Sequence, residues 1–569
     1  MKKPLLNELT LREKIGQMVH VRPHHIYVDK ETGNAQTQEK AKEIIEREQY
    51  GSLWVEDAYG YAKFTDVSGA VERARSSISE YDESGKTVFP YSSRHKKWVD
   101  EQSKLFKIPP LATGDFSRGA GRNYKDFEMV SSLITMGATG DTELAYQMGR
   151  CIAKELRCAG VNWRWSPVVD IANRFTCTVC RTFVQNDTDK MIAFANAHIK
   201  GMQDEGVAAS AKHFPGGDRI EHRDSHFCPA TINSTMEEWW NEQGKIFKGI
   251  IDGGVYSVMV AHKSFPAYDD RKIGDLYVPS TLSKKIVTDL LKGELGFKGV
   301  VITDDIGMGG VRAMYDYETL VVELVNAGND VLLSSEPETV DIIEKAVKDG
   351  RISEERIDDA AQRILDMKEK LGLFDESYGE LAYTSQEALA ETRRVDTLVA
   401  EKSITLLRDR NNLFPIDREK TKRISIIVSS HYEKYIENLE VFKEELEKRG
   451  ASVYMQRRLS DFDELKRISD NSDLIIYSAY VDMHTPMGGP FLFGEECGTY
   501  FHAFSSGAEK SMGVSMGYPY VHFDVMENAR TFVNTYSLNE KSIRALVRAM
   551  YGEIPFEGVS PVNLDDCRR

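Results

Sequence analysis

The chain has 569 residues, with 41% hydrophobic and 28% charged side chains, the proportions of a soluble globular protein. At about 100–200 residues per domain it has room for more than one domain and a large core. Acidic residues outnumber basic ones, 89 to 73, for a net charge of −16, which sets a nucleic-acid binder, with its usual basic face, at a disadvantage. No apolar run approaches the ~18 residues of a membrane span.

The chain opens Met1-Lys-Lys-Pro, but charge returns at Glu8 and Arg12 before any apolar stretch forms. This segment therefore reads as part of the fold, and a cytoplasmic protein is expected. Seven cysteines, an odd number, do not form a disulfide framework. Cys177 and Cys180 make a C-x-x-C without a second pair at zinc-site spacing, so reduced thiols are the better reading.

Short apolar runs then recur along the first two thirds: Gly16–Val21, Gly51–Val55, Pro110–Asp115, Val161–Asp170, Val207–His213, Ser257–His262, Val300–Asp304 and Asp330–Ser334. Amphipathic helical stretches separate them, for example Asp141–Ala159, Met191–Gly206, Thr235–Asp252 and Ser283–Leu295. Strands alternating with helices of this length predict parallel βαβ units, and eight units predict a closed barrel. After the helix Glu354–Leu371 the rhythm changes. Further runs at Ile424–Val428, Ser452–Met455, Leu474–Tyr480 and Tyr520–Phe523, with helices at Glu437–Arg449 and Asp463–Ile468, predict a smaller parallel sheet covered on both faces. The expected architecture is α/β: a (β/α)8 TIM-type barrel over residues 1–375, a linker over 376–400, and an α/β/α sandwich over 401–569.

Active sites of such barrels lie at the C-terminal ends of the strands. Here those ends carry Asp115, Asp170, Lys212, His213, His262, Asp304 and Asp305. Buried ionisable groups are costly unless paired, so a ring of them points to a polar ligand. In Ala211-Lys-His-Phe-Pro-Gly-Gly-Asp218, followed by Arg223-Asp-Ser-His226, a strand end leads into a loop bearing Asp224 and His226. The one-residue gap lets the Asp224 carboxylate reach one imidazole nitrogen, leaving the other to exchange a proton with substrate. In Gly299-Val-Val-Ile-Thr-Asp-Asp-Ile-Gly-Met308 a buried strand emerges at two carboxylates. Side chains alternate along extended backbone, so one of Asp304 and Asp305 acts as nucleophile or electrostatic partner and the other holds the loop.

These segments resemble glycoside hydrolase family 3, on its β-N-acetylglucosaminidase branch. The resemblance runs from Leu9-Thr-Leu-Arg-Glu-Lys-Ile-Gly-Gln-Met18 to Gly552-Glu-Ile-Pro-Phe-Glu-Gly558. It includes Gly160-Val-Asn-Trp-Arg-Trp-Ser-Pro-Val-Val-Asp170, Arg181-Thr-Phe183, Lys212-His-Phe-Pro-Gly216, Asp224-Ser-His226 and Pro279-Ser-Thr-Leu-Ser283. Ser403-Ile-Thr-Leu-Leu407 resembles the opening of the family's second domain. The resemblance implies that Asp304 is the nucleophile of a covalent glycosyl-enzyme, that His226 with Asp224 is the acid/base pair, and that Asp115, Arg181, Lys212 and His213 bind the sugar. It implies a retaining exo-β-N-acetylglucosaminidase acting on cell-wall or chitin fragments, with no metal or organic cofactor. Neither nucleic acid nor membrane is an expected partner, and a homo-oligomer is compatible with the sequence. A β-glucosidase, a phosphorylase of the same fold and a catalytically silent sugar-binding protein are the alternatives.

Three segments depart from the family pattern. Its Asp-x-Glu-Gly-Gly stands here as Asp115-Phe-Ser-Arg-Gly-Ala-Gly121, without the glutamate. Its Arg-Ser-Phe-Gly-x-Asp-Pro stands as Arg181-Thr-Phe-Val-Gln-Asn-Asp187, and the loop Gly217–His226 is unusually charged. Trp163 and Trp165 share a strand face and are expected to pack in the barrel, Trp239-Trp240 to lie at a surface or interdomain contact, and His24-His25 to be a solvated loop pair. Gly307–Gly310 lacks the Lys-Ser/Thr of a phosphate loop. Glu495-Glu496, the nearest candidates for an acid/base from the second domain, are unnecessary beside the dyad.

Overall fold

The computed structural model describes residues 2–28, 37–56, 80–81, 87–88, 91–172, 174, 177–430, 434–481 and 497–564; Glu495 and Glu496 lie outside them. The chain groups into two compact units, one of Met1–Met129, Tyr146–Ile171 and Ala195–Thr392, the other of Val130–Ala145, Ala172–Phe194 and Arg393–Arg569.

In the first unit the strands β1 (His20–Val21), β2 (Ser52–Trp54), β3 (Leu111–Gly114), β4 (Trp163–Arg164), β5 (Ala208–Phe214), β6 (Ser257–Val260) and β7 (Val300–Thr303) neighbour one another in chain order. Every pairing is parallel. An eighth segment closes the sheet, because Val331 bridges Ile302 and Leu332 bridges Val19, both in parallel. The Leu332 N–H reaches the Met18 carbonyl at 2.9 Å, and the Thr303 N–H reaches Val331 at 3.0 Å. Among the described residues, closure gives each barrel strand a neighbour on both sides and seals a core of fully buried β-branched and aliphatic residues such as Val258, Val260, Val300, Val301 and Ile302.

The first strand is shorter than its apolar run. Leu11–Met18 is helical, with the Thr10 side chain accepting from the Glu13 N–H and the Glu13 carboxylate answering the Thr10 N–H. That reciprocal cap and the burial of Ile15 and Met18 on one helix face outweigh the extended reading of Gly16–Met18. Crossover helices occupy Thr142–Cys158, Thr188–Asp204 and Glu354–Lys370. The stretch Met236–Asp252 is helical throughout, widening to a π-turn at Trp240–Gly244.

In the second unit, strands β8 (Thr405–Asp409), β9 (Arg423–Ser429), β10 (Ser452–Arg457), β11 (Leu474–Ala479), β12 (Ser511–Ser515) and β13 (Thr531–Asn534) lie in the order β8-β13-β12-β11-β9-β10. Only β8 runs antiparallel to its neighbour. Ile424, Ile426 and Val428 of β9 join a core with Phe442, Leu446 and Leu546, while Ile427 joins another with Leu465 and Ile468. This alternation buries both faces of the sheet. The run Tyr520–Phe523, expected as a strand, instead forms the short helix Val521–Asp524. The strand positions it was meant to fill belong to β12 and β13. β12 reads Ser-Met-Gly-Val-Ser, too poor in β-branched residues to stand out before its neighbours enclose it. Helix Ser385–Ser403 precedes β8.

Candidate active site

The C-terminal ends of β3 to β7 bring the site residues of the first unit together. β7 is followed at once by Asp304, whose N–H is held by the Val260 carbonyl at 2.8 Å. Asp305 turns elsewhere, as strand alternation requires. Its carboxylate takes Arg22 at 2.8 Å and the Gly307 N–H at 2.8 Å, while its carbonyl takes His262 Nε2 at 2.9 Å. Asp305 therefore holds the loop, while the half-buried Asp304 carboxylate accepts only the Asp305 N–H, at 2.9 Å, among the bonds of the described residues.

His262, fully buried, donates from Nε2 to that carbonyl and so accepts the Thr281 hydroxyl at Nδ1, 2.9 Å away. This is the neutral tautomer, and burial pushes the imidazole below its ordinary value. β5 supplies Lys212, which pairs with Asp115 at the end of β3, and His213. The Lys212–His213 and Phe214–Pro215 peptides are both cis. Asp170 binds His213 twice, accepting the backbone N–H at 2.6 Å and Nδ1 at 2.9 Å. Asp224 does the same for His226, at 2.9 Å to the N–H and 2.5 Å to Nδ1.

Both carboxylates thus fix an imidazole in one tautomer, with the proton on Nδ1 and exchange left to Nε2. Burial opposes ionisation of Asp170 and Asp224, but the histidines bound to them and the charge of Lys263 hold both below the usual carboxylate range. Burial also works against Asp304. The fields of His213, His262, His226 and Lys212 overcome it and keep its carboxyl below the ordinary value. Asp304 is therefore a carboxylate at neutral pH, ringed by nitrogen groups and faced by an exposed histidine on a loop.

That loop is held along its length by its own carboxylates. Asp218 accepts the N–H groups of Ile220, Glu221 and Asn233 at 2.5–2.6 Å. Glu221 takes the Arg223 and Thr231 N–H groups at 2.9 and 3.1 Å. The extra charge in Gly217–His226 thus serves the loop's own backbone. At its tip, Gly309 and Gly310 donate to the carbonyls of His226 and Ser225, each at 2.9 Å.

Arg181 belongs to the second unit, where it ends the short 3₁₀ turn Cys177–Arg181. Trp163 and Trp165 are barrel packing, with Trp163 Nε1 donating to Ser210 at 2.8 Å and Trp165 set edge-on to Trp54. Trp239 is also buried in the barrel, against Phe214, with its Nε1 on the Pro215 carbonyl at 2.7 Å; only Trp240 is exposed. His24 and His25 start a short helix and are half-buried, not solvated. Sequence reasoning missed Glu56, Arg164 and Lys263. Glu56 directly follows the run Gly51–Val55, so the rule that put Asp115 and Asp304 at strand ends reaches it as well.

A model described as the N-terminal domain of glycosyl hydrolase family 3 matches residues 10–367. The chain belongs to glycoside hydrolase family 3. It is similar to a β-N-acetylglucosaminidase/β-glucosidase of Cellulomonas fimi, 29% identical over 496 residues, covering 80% of this chain and 84% of the relative. It is also similar to a β-hexosaminidase of Stenotrophomonas maltophilia, 33% identical over 240 residues, 41% of this chain and 69% of that protein. Among solved structures, the β-glucoside phosphorylase BglX superposes with a TM-score of 0.78 at 25% identity, covering 98% of this chain and 94% of that one. A family 3 β-N-acetylglucosaminidase from Paenibacillus sp. superposes with a TM-score of 0.74 at 24% identity, covering 98% and 99%, and shares the barrel-plus-sandwich fold. This family 3 protein is a glycosidase.

Proposed function

We propose that this family 3 enzyme removes terminal β-linked N-acetylglucosamine with retention, using Asp304 as nucleophile and His226, backed by Asp224, as acid/base. The observation that carries the reading is the 2.5 Å contact of Asp224 with His226 Nδ1, on a loop whose charge is felt at Asp304. In the first step an Asp304 oxygen bonds to C1 while the glycosidic C1–O bond breaks, and the leaving oxygen takes the proton of His226 Nε2. In the second, neutral His226 removes a proton from water, the new C1–O bond forms, and Asp304 departs as carboxylate. Asp224 stabilises the imidazolium that exists before the first step and after the second. Asp115, Lys212 and His213 are assigned to the sugar hydroxyls and acetamido group. The chain acts without a metal or organic cofactor, and N-acetylglucosamine-terminated cell-wall or chitin fragments are its substrates.

A second reading has phosphate in place of water. A neutral histidine base does not repel an anionic acceptor as a carboxylate would, Lys263 adds positive charge beside Asp224 and Asp170, and one similar structure is named a phosphorylase. The deciding experiment follows p-nitrophenol release from the β-N-acetylglucosaminide and the β-glucoside, each with and without phosphate. Faster turnover of the acetamido sugar supports the proposal, and faster turnover of the glucoside overturns the substrate assignment. Acceleration by phosphate with sugar 1-phosphate as product favours phosphorolysis.

A further inference from the structure

β3 presents Asp115, and the two strands beside it each contribute one charged side chain to the same dipeptide. From the end of β2, the Glu56 carboxylate accepts the Asp115 N–H at 2.5 Å and the Phe116 N–H at 3.1 Å. From β4, Arg164 gives Nε to the Asp115 carbonyl at 3.3 Å and Nη2 to the Phe116 carbonyl at 3.0 Å. All four main-chain polar groups of Asp115-Phe116 are thereby held by an anion on one side and a cation on the other.

The conformation they hold does not form readily by itself. Phe116 has a φ of +43°, in the left-handed region that bulky side chains avoid. Its ring is fully buried and stacks on Tyr124, 6.3 Å between centroids. A half-buried acid and a fully buried guanidinium are each costly without partners, and here the partners include this turn. Burial, with Asp115 nearby, pushes Glu56 up to about 7, and burial pulls Arg164 down to about 10. Gly114 makes room for the acid, since a Cβ there would lie 2.6 Å from Glu56 Cβ. The segment Asp115-Phe-Ser-Arg-Gly-Ala-Gly121 itself holds no glutamate, and the carboxylate at this turn comes from the end of the neighbouring strand.

We infer that Glu56 and Arg164 are positioning residues that clamp the Asp115–Phe116 turn and so aim the Asp115 carboxylate at Lys212 and at the hydroxyls of the bound sugar. The inference rests on the sugar-binding role proposed for Asp115. Neither clamp residue touches the substrate; both act through the turn.

A double-mutant cycle tests it, with Glu56→Gln, Asp115→Asn and the double variant measured on the preferred glycoside. Gln offers one oxygen and sets an N–H2 against the second backbone donor, so Glu56→Gln should lower kcat/KM about tenfold. In the Asp115→Asn background the same change should cost less than about twofold. Arg164→Lys, which reaches one carbonyl instead of two, repeats the cycle should Glu56→Gln fail to fold. Equal losses in both backgrounds would overturn the clamp, because a merely structural residue weakens the enzyme whether or not Asp115 is intact. Crystal structures of the wild type and Glu56→Gln separate this from the functional reading. If the wild type cleaves neither glycoside, the proposed activity falls. The clamp then stands if Phe116 leaves the left-handed region and Asp115 leaves Lys212, and falls if both are unmoved.

Discussion

Gly309 donates its backbone N–H to the carbonyl of His226 at 2.9 Å, so the loop that follows Asp304 carries the residue assigned as its catalytic partner. Gly310 repeats the contact with Ser225. A Cβ at Gly309 would stand 2.4 Å from the Phe227 carbonyl oxygen, and one at Gly310 would stand 2.6 Å from that of Ser225. These obstacles are backbone, which cannot swing aside as a side chain would. The two loops are seated on each other at the distance that glycine permits.

Gly309→Ala should therefore displace His226 without emptying the core. The expected loss is about 10²-fold in kcat for an alkyl leaving group, the scale of a misplacement near 1 Å. A nitrophenyl leaving group, which departs without protonation, should lose far less. Rates across a leaving-group series check this, and a uniform loss would show that the glycine pair positions more than the acid.

Removal of the acid itself goes further. His226→Ala should cost about 10²–10⁴-fold on a natural disaccharide and spare the activated glycoside. Asp304→Asn should abolish turnover of both, by about 10⁴-fold or more, because it removes the group proposed to bond to C1. Parallel assays on the two substrates distinguish the roles.

The field around Asp304 gives a pH expectation with a definite sign. His213, His262, His226 and Lys212 outweigh burial and hold its carboxyl below the ordinary value of 3.8, so the proposed nucleophile stays ionised as pH falls through the upper part of the usual carboxylate range. The acid limb of kcat/KM should lie below about pH 4 where Asp304 governs it. Lys212→Met deletes one of the four groups whose fields lower it, and the limb should move to higher pH. A limb that stays in place would show that another group sets it.

Lys368 offers a test of stability away from the site. It is fully buried between two helices with its Nζ on Gln17 Oε1 at 2.6 Å, and burial lowers it from 10.5 to about 7. Between those values the unfolded chain binds the proton and the folded chain does not. Stability arising from this group should therefore rise with pH over that window, by up to about 1.4 kcal/mol per pH unit. Urea melts at pH 7.5 and 9 should show the rise in the wild type and a flatter response in Lys368→Met.

The eight barrel segments, the two-part α/β organisation and the strand-end acids were legible in the sequence because each depends on local pattern. Apolar runs of strand length, helices of crossover length and a carboxylate after the last buried residue can all be read within ten residues or so. Asp224 and His226, with one residue between them, are likewise a local signal. What stayed hidden was non-local. β12 has no β-branched run, and its burial comes from the strands on either side. The charges of Gly217–His226 stand out in the sequence only as a departure, until Asp218 and Glu221 are seen to accept the loop's own N–H groups. Glu56 and Arg164 are 108 positions apart and meet only because β2 and β4 flank β3.

The sequence by itself determined the family, the barrel and the residue types available for acid/base and nucleophilic work, since these are carried by periodicity and contiguous motifs. Tertiary structure alone decided which of Asp304 and Asp305 is taken up in holding the loop, for that choice follows from Arg22 and the Gly307 N–H claiming the Asp305 carboxylate. It also decided the ionisation of Asp304, because a carboxyl's pKa is set by the charges that folding gathers around it, and those come from three separate stretches of chain.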